Sequence, residues 1–479
     1  MLRLMRGGAF WALLMAALVA YAVVELPRAA AQGAQDYPIP SSAREVYSPI
    51  REGFAVPLEP RDALKGPRDT MDLREARLKT QREERWLSAP AFFRDTMVNA
   101  NSRTYWFDEH DFGYDDPKAF TTGGSLAYQS GYLADFFQLR GVLYTTQPLY
   151  ANASAGDTLN LSSDGDQITT LGQINGRAQF AGQQLTAGRQ LVRTPYINPF
   201  DVRMIPLTFE GVVLVPDDRG PERTFDYIAS YLTRYKPRGQ ANFISFSEGL
   251  GVLQDDGVLI TGLTYHEGAW SIGGSNYWIE NTLNTAYGEI DYLLPFGDGS
   301  EDGPSLRAGI NILDQRTVGK NLIAGAPYNT YQASARLVGS YQGFVLTGAV
   351  STVGNKATIQ KPFGFSPTYT AMMVTNFGQA GVDAYLLQLS YDLAKLGFEG
   401  VKVEAAWGKG WGGNDPVTNQ DFANQQELDL RVVYEPMSGR LRGLRVEVEY
   451  IDWQVFDQAL PSDKLSQFRT IVNYAVPLL

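Results

Sequence analysis

Residues 426–450 read QELDLRVVYEPMSGRLRGLRVEVEY. Within 428–435 and again within 444–450, apolar side chains alternate with charged ones. This period of two is typical of a β-strand, because successive side chains of a strand point to opposite faces. The dipeptide at 438–439, Ser-Gly, predicts a tight turn between the two segments. The stretch therefore predicts an antiparallel hairpin with one apolar face and one charged face.

The two faces of this hairpin indicate what surrounds them. Charged side chains occupy the middle of one face, and a tyrosine ends the apolar face of each strand. These residues are Arg431, Arg445, Glu447, Glu449, Tyr434 and Tyr450. The same alternation returns in 306–312, 331–337, 385–392 and 468–474. Aromatic girdles and a water-lining face are typical of membrane barrels, and closure in lipid pairs every backbone group. We therefore predict an all-β fold, a transmembrane antiparallel β-barrel.

The connections between the predicted strands are of two kinds. Long ones cover 149–168, 314–329, 352–381 and 408–424, whereas 342–343 and 438–439 are tight turns. Long loops on one side and short turns on the other are typical of barrels in the outer membrane. The chain also ends on an apolar segment, as a barrel closed by its last strand does. We therefore predict a location in the bacterial outer membrane.

The N-terminus carries an export signal. Arg3 and Arg6 precede an apolar stretch at 8–24, and three alanines at 29–31 supply an A-x-A cleavage site. A positive segment, an apolar segment and a cleavage site in this order are typical of a secretory signal peptide. We predict that residues 1–31 are this signal peptide.

Residues 32–94 differ from the rest of the chain. They are rich in proline at first and then dense in charges of both signs. Such a composition is typical of a flexible polar segment, although a charged tail can also bind a partner. We predict a polar N-terminal extension here, periplasmic or flexible, and assign 95–479 to the transmembrane barrel.

Composition disfavours several classes of function. A formal net charge of -11 over 479 residues lacks the basic footprint of nucleic-acid-binding proteins. The chain has no cysteine, which excludes disulfides and thiolate chemistry. Its two histidines, His110 and His266, lie far apart and poorly support a metal cluster or a catalytic triad. We expect no enzyme activity, no metal, no cofactor and no nucleic-acid partner; the expected partners are small-molecule solutes and outer-membrane lipid.

Several separated patches between about residues 95 and 479 resemble the OprD-type outer-membrane porin family. They are FGFSPTY at 363–369, NFGQAGVDAYLLQLSYDLAKLGFEGVKVEAAWGKG at 376–410, the hairpin at 426–450, TPYINPFDVRMIPLTFEGV at 194–212, and the first and last strands. The resemblance implies one barrel of eighteen antiparallel strands with inward-folded loops that form a constriction. It also implies passive, substrate-selective diffusion of small carboxylate-bearing solutes, such as amino acids, organic acids or small peptides. The sequence leaves open whether the barrel is a monomer or a homotrimer.

The segment GRQLVRTPYINPFDVRMIP at 188–206 interrupts the strands with three prolines. A wide barrel keeps an aqueous lumen unless a loop narrows it, and such a loop must leave the wall yet line water. Its arginines keep a fixed charge, and their planar forks match carboxylates. The predicted constriction residues are Arg193 and Arg203 first, then Arg189, Tyr196 and Asp201. Arg189 could instead belong to a strand, and Asp201 could anchor either leading arginine.

By the same resemblance, a second loop at 360–376 meets the first from the other side of the lumen. Ser366, Tyr369 and Asn376 offer hydroxyl and amide groups there for the uncharged part of a solute. The alternative is that these three residues only cap and pack their own loop, as Ser and Asn often do in turns.

Strand parity predicts a basic ladder along the lumen wall. With the apolar residues toward lipid, the cations that face the lumen are Arg177, Arg234, Arg307, Arg336, Lys402, Arg431, Arg445 and Arg469. Acidic residues share that face, namely Glu289, Asp291, Glu404, Asp429, Glu447 and Glu449. The ladder selects anionic groups if its cations are offset from these acids. The alternative is that opposite charges pair across strands and only stabilise the wall.

Two other classes of function compete with a porin. An outer-membrane enzyme would need a nucleophile, a base and an orienting group, which this chain poorly supplies. A structural or partner-binding barrel would have a plugged lumen, and its charged extension would reach the partner.

Overall fold

The computed structural model describes residues 89–111, 116–216, 224–295, 303–360, 363–436, 438–439, 441–456 and 464–478. The predicted signal peptide lies outside the described residues, as does the predicted extension up to residue 88. The described part of the extension contains the one-turn helix α1, Ala91–Arg94. Both domain boundaries therefore remain predictions.

Strands dominate the described residues, which contain nineteen of them. Their bounds are β1 Met97–Asp111, β2 Lys118–Gln129, β3 Phe137–Ala151, β4 Ile168–Phe180, β5 Gln183–Gln190, β6 Thr208–Pro216, β7 Phe225–Lys236, β8 Ile244–Ser245, β9 Val258–Glu267, β10 Trp270–Ile279, β11 Leu283–Pro295, β12 Ser305–Thr317, β13 Asn329–Tyr341, β14 Phe344–Val353, β15 Asp383–Asp392, β16 Val401–Trp411, β17 Asn424–Tyr434, β18 Leu444–Phe456 and β19 Lys464–Pro477. The short helices are α1, α2 at Phe246–Gly249, and two 3₁₀ turns at Ala155–Thr158 and Leu393–Leu396. None of the described helices has the length and apolar character needed to cross a membrane.

The strands close into one antiparallel barrel. Each wall strand pairs with its neighbour in sequence, and β7 pairs directly with β9, because the two-residue β8 only adds a short side pairing. The first and last strands complete the ring, with Asn99 opposite Pro477 and Asp111 opposite Leu465. The described wall thus has eighteen strands, which confirms the predicted fold class. The hairpin at 426–450 forms β17 and β18, with Arg431 opposite Glu449.

Side chains alternate between an outer apolar belt and the lumen. On β12, Ile310 and Ile312 are 63% and 50% exposed, whereas Asn311 between them is 3% exposed. The outward positions continue as Leu, Ile and Val on neighbouring strands, and several of them end on Tyr or Trp. This is the amphipathic wall of a barrel that has lipid outside and polar groups inside.

Among the described strand pairings, bulges break this alternation at three places, on β2–β3, β3–β4 and β6–β7. At the third, Gly211 pairs with Leu232 and Glu210 pairs with Arg234, so that Thr233 is an extra residue. The extra residue puts Arg234 on the outer face, where it forms a 2.7 Å ion pair with Asp255. The prediction that Arg234 lines the lumen is therefore wrong, because sequence parity was counted through a bulge.

The longest connections lie at one end of the barrel as predicted, although the three-residue connection 280–282 shares that end and the eight-residue connection 393–400 lies at the other. The long ones, including 152–167, 191–207, 237–257 and 354–382, lie at one end of the barrel. Two-residue turns such as 181–182 and 342–343 lie at the other end. The barrel also begins, at Met97, and finishes, at Pro477, on the short-turn end. Because outer-membrane barrels keep short turns on the periplasmic side, the long loops face outward from the cell.

Two neighbouring positions on β15 test the assignment of faces. Leu387 is 52% exposed on the outer belt, and Gln388 has lumenal parity. We expect Leu387→Arg to lower the free energy of unfolding in lipid vesicles by about 2–4 kcal/mol, since it places a charge in hydrocarbon. Gln388→Arg, the matched control, should change it little. Chemical denaturation in vesicles measures both, and equal losses would contradict the assigned faces.

Candidate functional site: a constriction built by three loops

Three long loops of the outward end contact lumenal side chains of the wall. Loop A is 191–207, loop B is 354–382 and loop C is 237–257. Loop A contacts β1 through Arg203 and β12 through Tyr196. Loop B contacts β11 through Tyr369 and β17 through the backbone at 373–375. Because these strands lie on different sides of the ring, loops A and B together reach across the lumen.

A short joint connects loop A to loop B. Ile197 and Phe363 form a parallel bridge, and the Asn198 backbone N–H donates to the Phe363 carbonyl at 3.1 Å. The Asn198 amide also accepts from the Phe365 N–H at 2.8 Å and donates to the Phe365 carbonyl at 3.1 Å. These paired bonds satisfy backbone groups of two irregular segments that have no strand partner. They hold the two loops together inside the barrel.

An aromatic cluster adds loop C to this joint. We call it the aromatic latch: Phe363 of loop B packs against Phe246 of loop C, Tyr235 of β7 and Tyr196 of loop A, at centroid distances of 4.7, 5.0 and 6.2 Å. Aromatic pairs at such distances and edge-to-face angles stabilise beyond their buried area. The latch therefore couples the positions of all three loops.

Tyr196, a predicted constriction residue, lies inside the latch and does not line open water. Its hydroxyl donates to the Gln360 carbonyl at 3.2 Å and accepts from the Gln315 amide at 2.9 Å. Burial raises the pKa of this hydroxyl well above its usual range. Tyr196 thus positions loop A against the wall of β12.

Carboxylates of the wall hold loop B. The Tyr369 hydroxyl donates to Glu289 at 2.5 Å, and the Arg336 guanidinium lies 4.4 Å from the Tyr369 ring centroid. On β17, Glu427 accepts the backbone N–H groups of Val374 and Thr375 at 2.7 and 2.8 Å. The two lumenal acids therefore bind the loop, and charged hydrogen bonds of this kind are the strong ones.

The other two predicted residues of loop B differ from each other. The Asn376 side chain accepts the Gly378 N–H at 3.1 Å and thereby caps a turn of its own loop, which is the alternative that the sequence left open. Ser366 is buried beside the joint, at 7% exposure. We keep Ser366 and Tyr369 as positioning candidates and do not assign Asn376 a solute contact.

The predicted arginines of loop A have separate surroundings. Arg203 donates from Nε to the Thr158 carbonyl at 2.9 Å, and its guanidinium lies 5.1 Å from the Phe107 ring. Arg193 is half-buried in the same loop. Arg189 belongs to β5 and pairs on the outer face with Glu210 at 2.8 Å. The prediction that Arg189 lines the pore is therefore wrong, and it is a strand residue.

Asp201 anchors a wall arginine rather than either leading arginine of its own loop. Arg103 on β1 donates to both carboxylate oxygens of Asp201, at 2.6 and 3.1 Å, and also to the Arg203 carbonyl. A bidentate pair of this kind fixes geometry as well as charge. Asp201 therefore forms no ion pair with the guanidinium of Arg203. The sequence left open which arginine Asp201 would bind.

The predicted ladder residues other than Arg234 have lumenal parity. Most of them are close to acids: Arg307 and Arg336 lie 3.4 and 3.5 Å from Asp291, Arg431 contacts Glu404 and Glu447, Arg445 contacts Glu435 and Glu447, and Arg469 contacts Glu449. Lys402 and Arg177 also have lumenal parity, and Arg177 donates to Gln138 at 3.2 Å. Much of the ladder thus forms cross-strand pairs, the alternative weighed for it.

Sequence reasoning missed three cations. Arg103 on β1 and Arg140 on β3 share the lumenal parity of their strands, and Arg238 is the second residue of loop C. Parity would have found the first two, but their lumenal neighbours, such as Tyr105 and Val142, are apolar and conceal the polar face. Arg238 had no local signal, since its neighbours are supplied by distant loops.

Comparisons with known proteins agree with this geometry. A model of the outer membrane porin, OprD family, matches residues 90–478. Among solved structures, Pseudomonas aeruginosa OpdK with vanillate is 20% identical with a TM-score of 0.70, OccK9 (OpdG) is 19% identical with 0.72, and OccK2 (OpdF) in complex with glucuronate is 16% identical with 0.69. Each covers 81% of this chain and 100% of its own. At these identities the structures show the shared fold alone. Curated proteins yield no match.

The aromatic latch predicts how the three loops move together. We expect Phe363→Ala to leave a cavity that loosens loops A, B and C. The local stability of the loops should fall by about 3–5 kcal/mol. Single-channel recordings should show larger conductance fluctuations than the native protein. Leu253→Ala, in loop C at full exposure, is the control and should leave the recordings unchanged. Conductance fluctuations of Phe363→Ala no larger than those of the native protein would contradict the proposed coupling through the latch.

Proposed function

The chain belongs to the OprD family of outer membrane porins, and from this membership we propose that it passes small carboxylate-bearing solutes by passive, substrate-selective diffusion. The solutes would be amino acids, organic acids and small peptides. Proteins of this family and fold are channels, and we assign no catalytic residue.

One observation carries the proposal: a sector of the wall holds four lumenal arginines on strands that follow one another around the ring. They are Arg469 on β19, Arg103 on β1, Arg140 on β3 and Arg177 on β4, with β2 between the second and third. We call this set the arginine stripe. Arginine forks bind carboxylates through two parallel hydrogen bonds, and basic rows in a pore favour anionic groups.

Register orders the stripe along the pore. Arg469 lies opposite Phe107, toward the loop end of β1, and Arg103 lies below it, opposite Asn473. Arg140 lies opposite Gln129, which pairs with Met97 at the beginning of β1. Arg177 lies opposite Gln138, close to the short-turn end. The stripe therefore descends from the loops toward the periplasmic end, as a path that a carboxylate could follow.

Neighbouring acids partly compensate the positive charge of the arginine stripe and so weaken its attraction for anions. Glu449 accepts from Arg469 at 3.2 Å, and Asp201 accepts from Arg103 at 2.6 Å. A solute must bind well enough to enter and weakly enough to leave, so partial compensation favours passage over trapping. The carboxylates vanillate and glucuronate occupy structures of two similar porins, which supports the same class of solute here.

A barrel with a plugged lumen that binds a partner is the second candidate. The observation that favours it is the tie between loops A, B and C, which join across the lumen through Asn198 and Phe363. Conductance separates the two functions, because a plugged barrel passes no solute.

We expect purified protein in planar bilayers to be more permeable to acetate than to sodium, measured by the reversal potential in a sodium acetate gradient. Arg469→Gln should lower the acetate-to-sodium permeability ratio about three- to tenfold, because it removes one cation and leaves Glu449 uncompensated. Arg316→Gln is the matched control, since Arg316 lies on the outer face and pairs with Asp314 at 2.6 Å.

The outcomes are distinct. Silent bilayers with correctly folded protein would favour the plugged barrel. Conducting channels that prefer sodium over acetate would refute the proposed carboxylate selectivity but not the channel function.

A further inference from the structure

We infer that Arg238 of loop C, with Arg203 of loop A behind it, forms a binding subsite for solutes that carry two carboxylates. This inference rests on the proposed function, and it narrows the class of solute from carboxylates in general to dicarboxylates. We call the site the loop C subsite; Phe200 supplies its apolar face.

Loop C fixes the position of Arg238. Arg238 is separated from the end of β7 by Pro237 alone, and Gly239 after it has φ +68, a left-handed conformation that lets the chain turn beside Leu161. The Thr170 hydroxyl of β4 donates to the Ala241 carbonyl at 3.0 Å and holds the turn against the wall. The Arg238 guanidinium then lies 4.4 Å from the ring centroid of Phe200 on loop A. A guanidinium over an aromatic face is oriented by that contact and keeps its N–H groups at the edge available.

Arg203 and Arg238 differ from Arg103 and Arg469 of the stripe, which are paired with Asp201 and Glu449. Within the part of the chain that the structure describes, Arg203 and Arg238 make no ion pair with an acid. Arg203 is held by the neutral oxygens of Thr158, Val202 and Tyr105. Among the described residues, two positive charges therefore lie at the loops without an acid in direct ion-pair contact.

The two cations are close enough to influence each other. Burial lowers the pKa of Arg238 to about 9, and the positive charges of Arg203 and Arg469 add to this lowering. Since that value lies above neutral pH, the guanidinium stays charged. A positive potential built from several cations attracts a doubly charged anion about twice as strongly as a singly charged one.

The chemistry of the subsite follows from these contacts. One carboxylate of the solute would take the N–H edge of Arg238, and the hydrocarbon chain would lie along Phe200. The second carboxylate would meet the remaining positive potential of Arg203 and the upper end of the arginine stripe. A monocarboxylate of equal length would satisfy one charge and leave the other uncompensated, so the subsite discriminates by charge at constant size.

Neighbouring cations supply a matched control. Lys236 is fully buried and donates to the Pro237 carbonyl at 3.0 Å, so it is not available to a solute. Arg234 lies on the outer face with Asp255. Arg234→Gln therefore removes the same side chain as Arg238→Gln, from nearly the same place in sequence, but from the other side of the wall.

Succinate and butyrate, which have the same number of carbon atoms, test the inference at neutral pH. Their permeabilities relative to sodium come from reversal potentials in planar bilayers. We expect the native succinate-to-butyrate ratio to fall about three- to tenfold in Arg238→Gln and to stay unchanged in Arg234→Gln. Arg238→Lys, which keeps the charge without the fork, should retain most of the succinate preference. Heat-modifiable migration on gels confirms that each variant is folded.

Three results would overturn the inference. Unchanged permeabilities of both succinate and butyrate in Arg238→Gln would exclude Arg238 from the solute path. Equal losses for succinate and butyrate would show a general anion filter without a dicarboxylate subsite. An equal fall in Arg234→Gln would show a structural effect of loop C. Native channels that exclude both anions would instead refute the proposed function itself, which keeps the two failures distinguishable.

Discussion

The pairing of every backbone N–H and C=O inside hydrocarbon is the constraint on which the rest of this structure depends. An open sheet would leave two edges without partners in lipid, so β1 must pair with β19 and the wall must close. In the closed wall, the pleat of each strand places successive side chains alternately in lipid and in the lumen. Closure also means that any non-strand segment at membrane depth must lie inside the barrel, against polar groups that satisfy it. Loops A and B fulfil this condition through Asn198 and Glu427, which bind backbone groups directly.

The lumenal charges therefore fall into two groups with different roles. Acids such as Glu289 and Glu427 hold loop B in place, and several predicted ladder cations are close to acids across strands. Where the loops meet, Arg203 and Arg238 make no ion pair with an acid among the residues that the structure describes. The net charge of -11 for the whole chain gives no guide to this local excess, because pairing and placement decide the potential that a solute meets.

Sequence reasoning predicted the barrel and the interior face of most strands, because a period of two survives wherever strands are regular. It erred at Arg234, where one extra residue, Thr233, reverses the parity that regular counting assigns. It placed loop A in the lumen through the prolines and the family resemblance, but not the partners of its side chains. Asp201 could have paired with any nearby cation, and only the fold shows that Arg103 is the one. Arg238 could not be identified at all, since its surroundings come from loops distant in sequence.

We propose that the three loops form a constriction whose loop C subsite binds the anionic groups of a passing solute. A crystal structure of the protein soaked with bromosuccinate tests it most directly, because the bromine is located by its anomalous scattering. We predict an anomalous peak at the loop C subsite, with carboxylate oxygens at hydrogen-bonding distance from Arg238. Bromosuccinate bound elsewhere in an open lumen, with the loop C subsite empty, would contradict this proposal.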